Sequence, residues 1–257
     1  MKLFKLCSLA AISALLLTSC LGDSDNTQDW YDIPAVVRYE GGKNVAYTAV
    51  YKIYASGLSS YTDGQCIWVS YRYDSGEAGD EEANGYSMVT LLETPTAINK
   101  GGFTMVPTDT TKLLPKEILI DQAVGSYQYH YLAYLEGYLF FASTFTGLTN
   151  QQNSWELSFD PNQTPTTGVD SNGNPINVYT MVVRAREQYT GIAPEKNDHN
   201  LNAYYVENTI NTLNEVEKSQ NKKAYGLNIK FLNKLSQDST VLTWKNAEAP
   251  IIFSVSE

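Results

Sequence analysis

The stretch Ser154-Trp155-Glu156-Leu157-Ser158-Phe159 decides the fold: bulky apolar side chains alternate one for one with polar ones. That is the period of a strand with one buried face. The same period recurs on both sides of it. Upstream lie Ala46 to Tyr54, Gln65 to Tyr73 after the turn signal Thr62-Asp63-Gly64, and Tyr86 to Leu92. Tyr127 to Leu135 and Tyr138 to Phe145 flank Glu136-Gly137, a hairpin turn in which glycine supplies the positive φ. Downstream, Asp160 to Pro175 is punctuated by Pro and Gly and reads as a loop, followed by strands at Val178 to Arg186, around Leu227, Ile229 and Phe231, and at Val241 to Lys245 and Ile251 to Val255. The 19 tyrosines suit this reading, because wide side chains pack well on a pleated surface.

One segment has a different period. Val206, Ile210, Leu213 and Val216 fall on one face of a helix, expected near 203–222. Asn202 is its expected cap, and Lys218, Lys222 and Lys223 sit at its negative end before Gly226. Many short strands with one late helix predict a mainly β chain built from barrels or sandwiches, not βαβ units. The loop Pro107 to Pro115 is the expected divide between two β units, 30–110 and 111–257, with the one amphipathic helix in the second.

The N-terminus carries a different message. Lys2 and Lys5 precede Leu6 to Leu17, an apolar run too short for the roughly 20 residues that span a bilayer. Residues 1–19 read as a signal peptide. Leu17-Thr18-Ser19-Cys20 resembles the lipobox of bacterial lipoproteins, which implies lipidation of Cys20 and membrane attachment through it. Two or more acyl chains hold where one is marginal. Residues 20–29, with Asp23, Asp25 and Asp29, read as an acidic linker and resemble in part a surface-export signal of Bacteroidetes lipoproteins. The expected location is the outer membrane, on its surface or periplasmic face.

The net charge of −10 repels phosphate backbones, so no nucleic-acid partner is expected. Of the three cysteines only Cys66 remains once Cys7 is cleaved away and Cys20 is acylated, which leaves no internal disulfide. Cys66, beside Trp68, reads as a small core residue. His130 reads as a surface side chain, and His199, in Asp198-His199-Asn200, as turn and cap chemistry. No catalytic or metal-binding motif occurs, so no enzyme, cofactor or metal is expected. Asp170, Asn172 and Asn174 imitate half a calcium loop, but Pro175 and Met181 stand where glycine and glutamate belong. The acidic loop Asp74 to Glu82 reads as solvated, with calcium as its alternative. Aromatics supply the remaining ligand-binding candidates: Trp30, Tyr71 and Tyr73, with Tyr31, Tyr204 and Tyr205 beside them.

The order of features resembles the NigD-like lipoproteins of Bacteroidales. The carriers are Ser19 to Asp23, Asp63-Gly64-Gln65-Cys66-Ile67-Trp68-Val69-Ser70-Tyr71, Glu136-Gly137-Tyr138-Leu139-Phe140-Phe141 and Tyr179-Thr180-Met181-Val182-Val183-Arg184. The chain departs from that pattern at Ala185-Arg186 and in the helix near 203–222. The resemblance implies an OB-like barrel before a sandwich, and a non-enzymatic envelope protein that binds a protein or other envelope partner. The alternatives are a surface glycan-binding lipoprotein and a bacteriocin immunity protein.

Overall fold

Alternation along Gln152–Phe159 (β13) is realised in large part: Trp155, Leu157 and Phe159 are buried and Glu156 is exposed, while Ser158 on the polar side is buried and donates to Val182 O at 3.2 Å. A computed structural model of the protein describes residues 27–76, 85–123, 132–238 and 240–255. Three sheets account for it. The first, nearly closed like a barrel, is built on Thr27–Glu40 (β1), Lys43–Tyr47 (β2), Lys52–Tyr54 (β3) and Cys66–Asp74 (β4). Short strands complete it: Ser87–Met88 (β5), Thr90–Leu91 (β6) and Thr96–Ala97 (β7). The chain is mainly β, as expected.

The second sheet joins Asn99–Lys100 (β8), Ile120–Ala123 (β10), Leu132–Leu135 (β11), Tyr138–Thr149 (β12) and Ile192–Tyr205 (β16). The third contains Gly102–Thr104 (β9), β13, Thr166–Val169 (β14), Pro175–Tyr189 (β15), Ala224–Leu235 (β17), Leu242–Asn246 (β18) and Ile251–Ser254 (β19). The second sheet is the middle layer. Leu139, Phe141, Phe145 and Tyr204 pack toward the third sheet, while Tyr138, Phe140, Ala142, Leu201 and Ala203 pack on Val36, Cys66 and Ile98 from the barrel side. A strand covered on both faces needs an apolar run rather than alternation, which is what Tyr138-Leu139-Phe140-Phe141-Ala142 supplies.

Several elements differ from the sequence reading. Strand β1 begins at Thr27, inside the expected linker, because Asp29 is held by Arg72 of β4 at 2.6 and 2.8 Å. Ala46 to Tyr54 is broken in two by a turn in which Thr48 Oγ1 accepts the Val50 and Tyr51 amides. The loop 160–175 contains β14, paired with β15. The helix, Glu207–Ser219 (α1), is shorter than 203–222, and Val206 rather than Asn202 stands at its N-cap. Its buried face includes Ile210 and Leu213, but Val216 is exposed and Glu217 buried, accepting from Tyr179 Oη at 2.6 Å and Asn177 Nδ2 at 3.0 Å.

The expected divide at 107–115 is not where the sheets change over. β7 belongs to the barrel and β8 to the middle sheet, so the change falls at Ile98. The loop is instead pinned to the outer face of the third sheet by Arg184. Its guanidinium donates to Glu117 at 2.5 and 2.6 Å, to Asp109 O at 2.8 Å and to Lys112 O at 2.6 Å. Trp244 stacks over that guanidinium and donates to Thr110 O at 2.9 Å. Among the described residues no helix is long and apolar enough to cross a membrane.

Candidate functional site

The aromatic candidates come together, but inward. Trp30 stacks on Tyr71 with centroids 6.3 Å apart, and Tyr51 meets Trp30 edge-on and stacks on Tyr73 at 5.0 Å. Trp30 is 7% and Tyr71 0% exposed, and Tyr73 is partly buried against the same cluster. Strand parity explains the correction: these residues share the inner face of β1 and β4 with Ile33 and Val69, so they are core and not a ligand platform. Tyr31 is exposed and hydrogen-bonds Asp29, whereas Tyr204 is wholly buried and Tyr205 donates to Glu207.

Other candidates resolve similarly. Cys66 is buried at the seam between barrel and middle sheet, and burial pushes its thiol up to about 12. Asp170 accepts from the Asn172 and Asn174 amides and from Asn174 Nδ2, which makes the half calcium loop a closed turn. No group of three or more His, Cys, Asp or Glu among the described residues could hold a metal. Cys20, His130 and Glu77 to Glu82 of the acidic loop lie outside the described residues.

Two of the stretches that carry the resemblance form a seam. Arg38 Nη2 donates to Glu136 O at 2.6 Å, its Nε to the Glu136 carboxylate at 3.3 Å, and Lys100 Nζ to both Gly64 O and Tyr138 Oη at 3.0 Å. So Asp63-Gly64-Gln65-Cys66 and Glu136-Gly137-Tyr138 dock the barrel on the middle sheet.

A cleft of about 580 Å³ opens where the second and third sheets meet at their edges. One wall is β16, through Asp198, Asn200 and Asn202; the other is β13, through Gln152, Asn153 and Trp155. The strap Asn99-Lys100-Gly101-Gly102 closes the side, because β8 pairs with β16 and β9 with β13. Gly101 is the crossing point: its N–H donates to Ala203 O at 3.0 Å, and a Cβ there would lie 2.1 Å from Tyr204 Cε1. The volume falls within the range of small-molecule sites.

Amides dominate the lining. Asn202 is only 2% exposed, yet neither its Nδ2 nor that of Asn200 completes a hydrogen bond. The Tyr204 hydroxyl lies beside the Asn202 side chain and interacts with it, without either group completing a well-formed hydrogen bond. A buried polar group left so costs about 1–3 kcal/mol, a penalty that a bound hydroxyl or carbonyl removes. At the inner end Trp155 meets Phe145 edge-on at 5.7 Å. These residues were missed in the sequence because Glu195-Lys196-Asn197-Asp198-His199-Asn200 has no apolar alternation; His199, read as a turn, is in mid-strand. The one available signal was that this polar run lacks the Gly or Pro of a loop.

Comparison with known proteins adds a framework. Residues 25–95 match the family "Lipoprotein OB domain", whose name implies a cell-envelope location. A protein of Parabacteroides merdae is similar in structure at TM-score 0.72 and 23% identity, over 89% of this chain and 100% of that one. A candidate lipoprotein of Bacteroides fragilis follows at TM-score 0.54 and 13% identity, over 86% and 98% of the two chains. A NigD-like immunity protein of Bacteroides caccae is also similar, at TM-score 0.45 and 10% identity, over 85% and 91%. No curated protein matches the sequence. Residues 25–95 are thus similar to a lipoprotein OB domain, and the mainly β fold is shared with proteins of Bacteroidales.

Proposed function

We propose that this chain is a non-enzymatic binding lipoprotein of NigD-like type. It is attached to the outer membrane through acylated Cys20 once residues 1–19 are removed, and it holds an envelope ligand in the amide-lined cleft. In this reading the OB barrel, ending at Ile98, is the rigid base and the sandwich is the binding unit. The observation that carries it is the pair of incompletely bonded amides, buried Asn202 and half-buried Asn200, lining a cleft large enough for a ligand.

Binding rather than turnover is supported by the lining. Asp198 is the single carboxylate among the described residues of the cleft, whereas hydrolysis of a glycosidic bond calls for two. The test is the melting temperature of the full-length protein in detergent with and without a soluble envelope extract from its host. The extract raises Tm for the wild type and not for Asn202→Leu. A Tm unmoved by the extract defeats the cleft as a binding site. Labelled palmitate entering the wild type but not Cys20→Ser tests the anchor.

A further inference from the structure

Resting on the cleft as a binding site, we propose that its ligand is a neutral, hydroxyl-rich one, the sugar units of a glycan. The lining matches that chemistry. Each hydroxyl of a sugar both donates and accepts, and each primary amide does the same from one side chain. Asn99, Gln152, Asn153, Asn200 and Asn202 bring such groups from three directions onto one volume. Trp155 and Phe145 supply an apolar base for the C–H face of a ring.

Charge excludes the anionic alternatives. Lys100 is the one lysine or arginine among the described residues lining the cleft, to which His199 adds an imidazole, and the Lys100 ammonium is spent on Gly64 O and Tyr138 Oη at the seam. Asp198 is paired with Lys196 at 3.2 Å. Phosphate or carboxylate groups would find no free lysine or arginine among the described residues there, on a chain of net charge −10.

An extended peptide is disfavoured by the edge it would have to join. Only Asn202 and Ala203 of β16 pair with β8, so the strand is open N-terminal to them. Ala203 O points to that open side, where it accepts from Gly101 N, and by the alternation of an antiparallel ladder so does His199 N–H. Asp198 Oδ1 already takes that N–H at 2.9 Å. The capped N–H and the charged side chains of Glu195 and Lys196 blunt the edge against strand addition, which leaves the amides for a small polar ligand.

The experiment is affinity electrophoresis of the full-length protein in detergent through gels holding dextran, mannan, xylan or β-glucan, with polygalacturonate and heparin as anionic gels. At least one neutral polysaccharide retards the protein, and Asn202→Leu and the rim variant Asn153→Ala each weaken the retardation tenfold or more. Tyr31→Ala, outside the cleft, leaves it unchanged. Retardation by no neutral polysaccharide, or retardation indifferent to both cleft variants, overturns the proposal; should Asn202→Leu fail to fold, Asn153→Ala decides. Treating the envelope extract separates the two levels. Stabilisation abolished by periodate supports a sugar; stabilisation that survives periodate and is lost to protease overturns the sugar while the cleft remains a binding site.

Discussion

Adding one methyl group at Gly101 should unfold much of what holds the cleft together. Its φ lies outside the left-handed region, so alanine meets no backbone penalty and the effect is steric alone. The new Cβ would stand 2.1 Å from Tyr204 Cε1 and 2.7 Å from Cδ1 and Cζ. Carbon atoms rest about 3.5 Å apart, so roughly 1.4 Å must be found. Tyr204 is 0% exposed and has nowhere to swing, so the strap has to retreat and forfeit the bond from Gly101 N to Ala203 O. Overpacking at about 1–3 kcal/mol, with a stranded backbone group at about 1–3 more, gives a loss of about 2–6 kcal/mol. Gly102 is the control: its Cβ would meet nothing nearer than Trp155 O at 3.8 Å, so Gly102→Ala should be neutral or stabilising by a few tenths to about 1 kcal/mol. Urea unfolding of both variants, and of Gly101→Ala in a Tyr204→Ala background where the penalty should vanish, measures this directly. A Gly101→Ala cost below 1 kcal/mol, or one that persists without the Tyr204 ring, refutes the reasoning.

Three further outcomes are expected. Arg184→Met strands the Glu117 carboxylate, whose side chain is 0% exposed, and should cost about 3–5 kcal/mol; trypsin should then cut after Lys112 or Lys116, and adding Glu117→Leu should restore much of the stability. Asn202→Leu, which removes an ill-bonded buried amide, should leave Tm level or higher while ligand binding is lost; a falling Tm would mean the amide is structural. Stability should decline in alkali. Burial holds the protons of Cys66 and Tyr134 up to about 12 and pushes Tyr179, Tyr204 and Tyr225 up as well. Unfolded, these groups ionise near their ordinary values of about 8.5 to 10. The folded state therefore binds more protons above about pH 9, and the advantage drains away toward pH 12. Absorbance at 295 nm should show these tyrosines ionising only as the protein unfolds; early non-cooperative ionisation would contradict their burial.

What could be read from the sequence followed from periodicity. Strand β13 and the face of Ile210 and Leu213 declared themselves because one side is wet and the other dry. The hairpin at Glu136-Gly137 did so through its turn residues, both of which have positive φ. The cleft stayed hidden for the same physical reason in reverse. Its walls are polar strands that bury amides, a pattern indistinguishable from a loop until β8 and β9 bring them face to face. The aromatic reading failed because tyrosine and tryptophan pack a barrel interior as readily as they greet a ligand, and Trp30, Tyr71 and Tyr51 do the former.

The shared middle sheet has a consequence for how the molecule comes apart. Separating the OB barrel would bare Phe140, Ala142 and Leu201, and peeling away the outer sheet would bare Leu139 and Phe141 from the same two strands. Neither half has a boundary of its own at which to melt first. The amides of Leu139 to Ala142 should be the slowest of the chain to exchange with deuterated water, and a protease should find either an intact protein or fragments, with no surviving half.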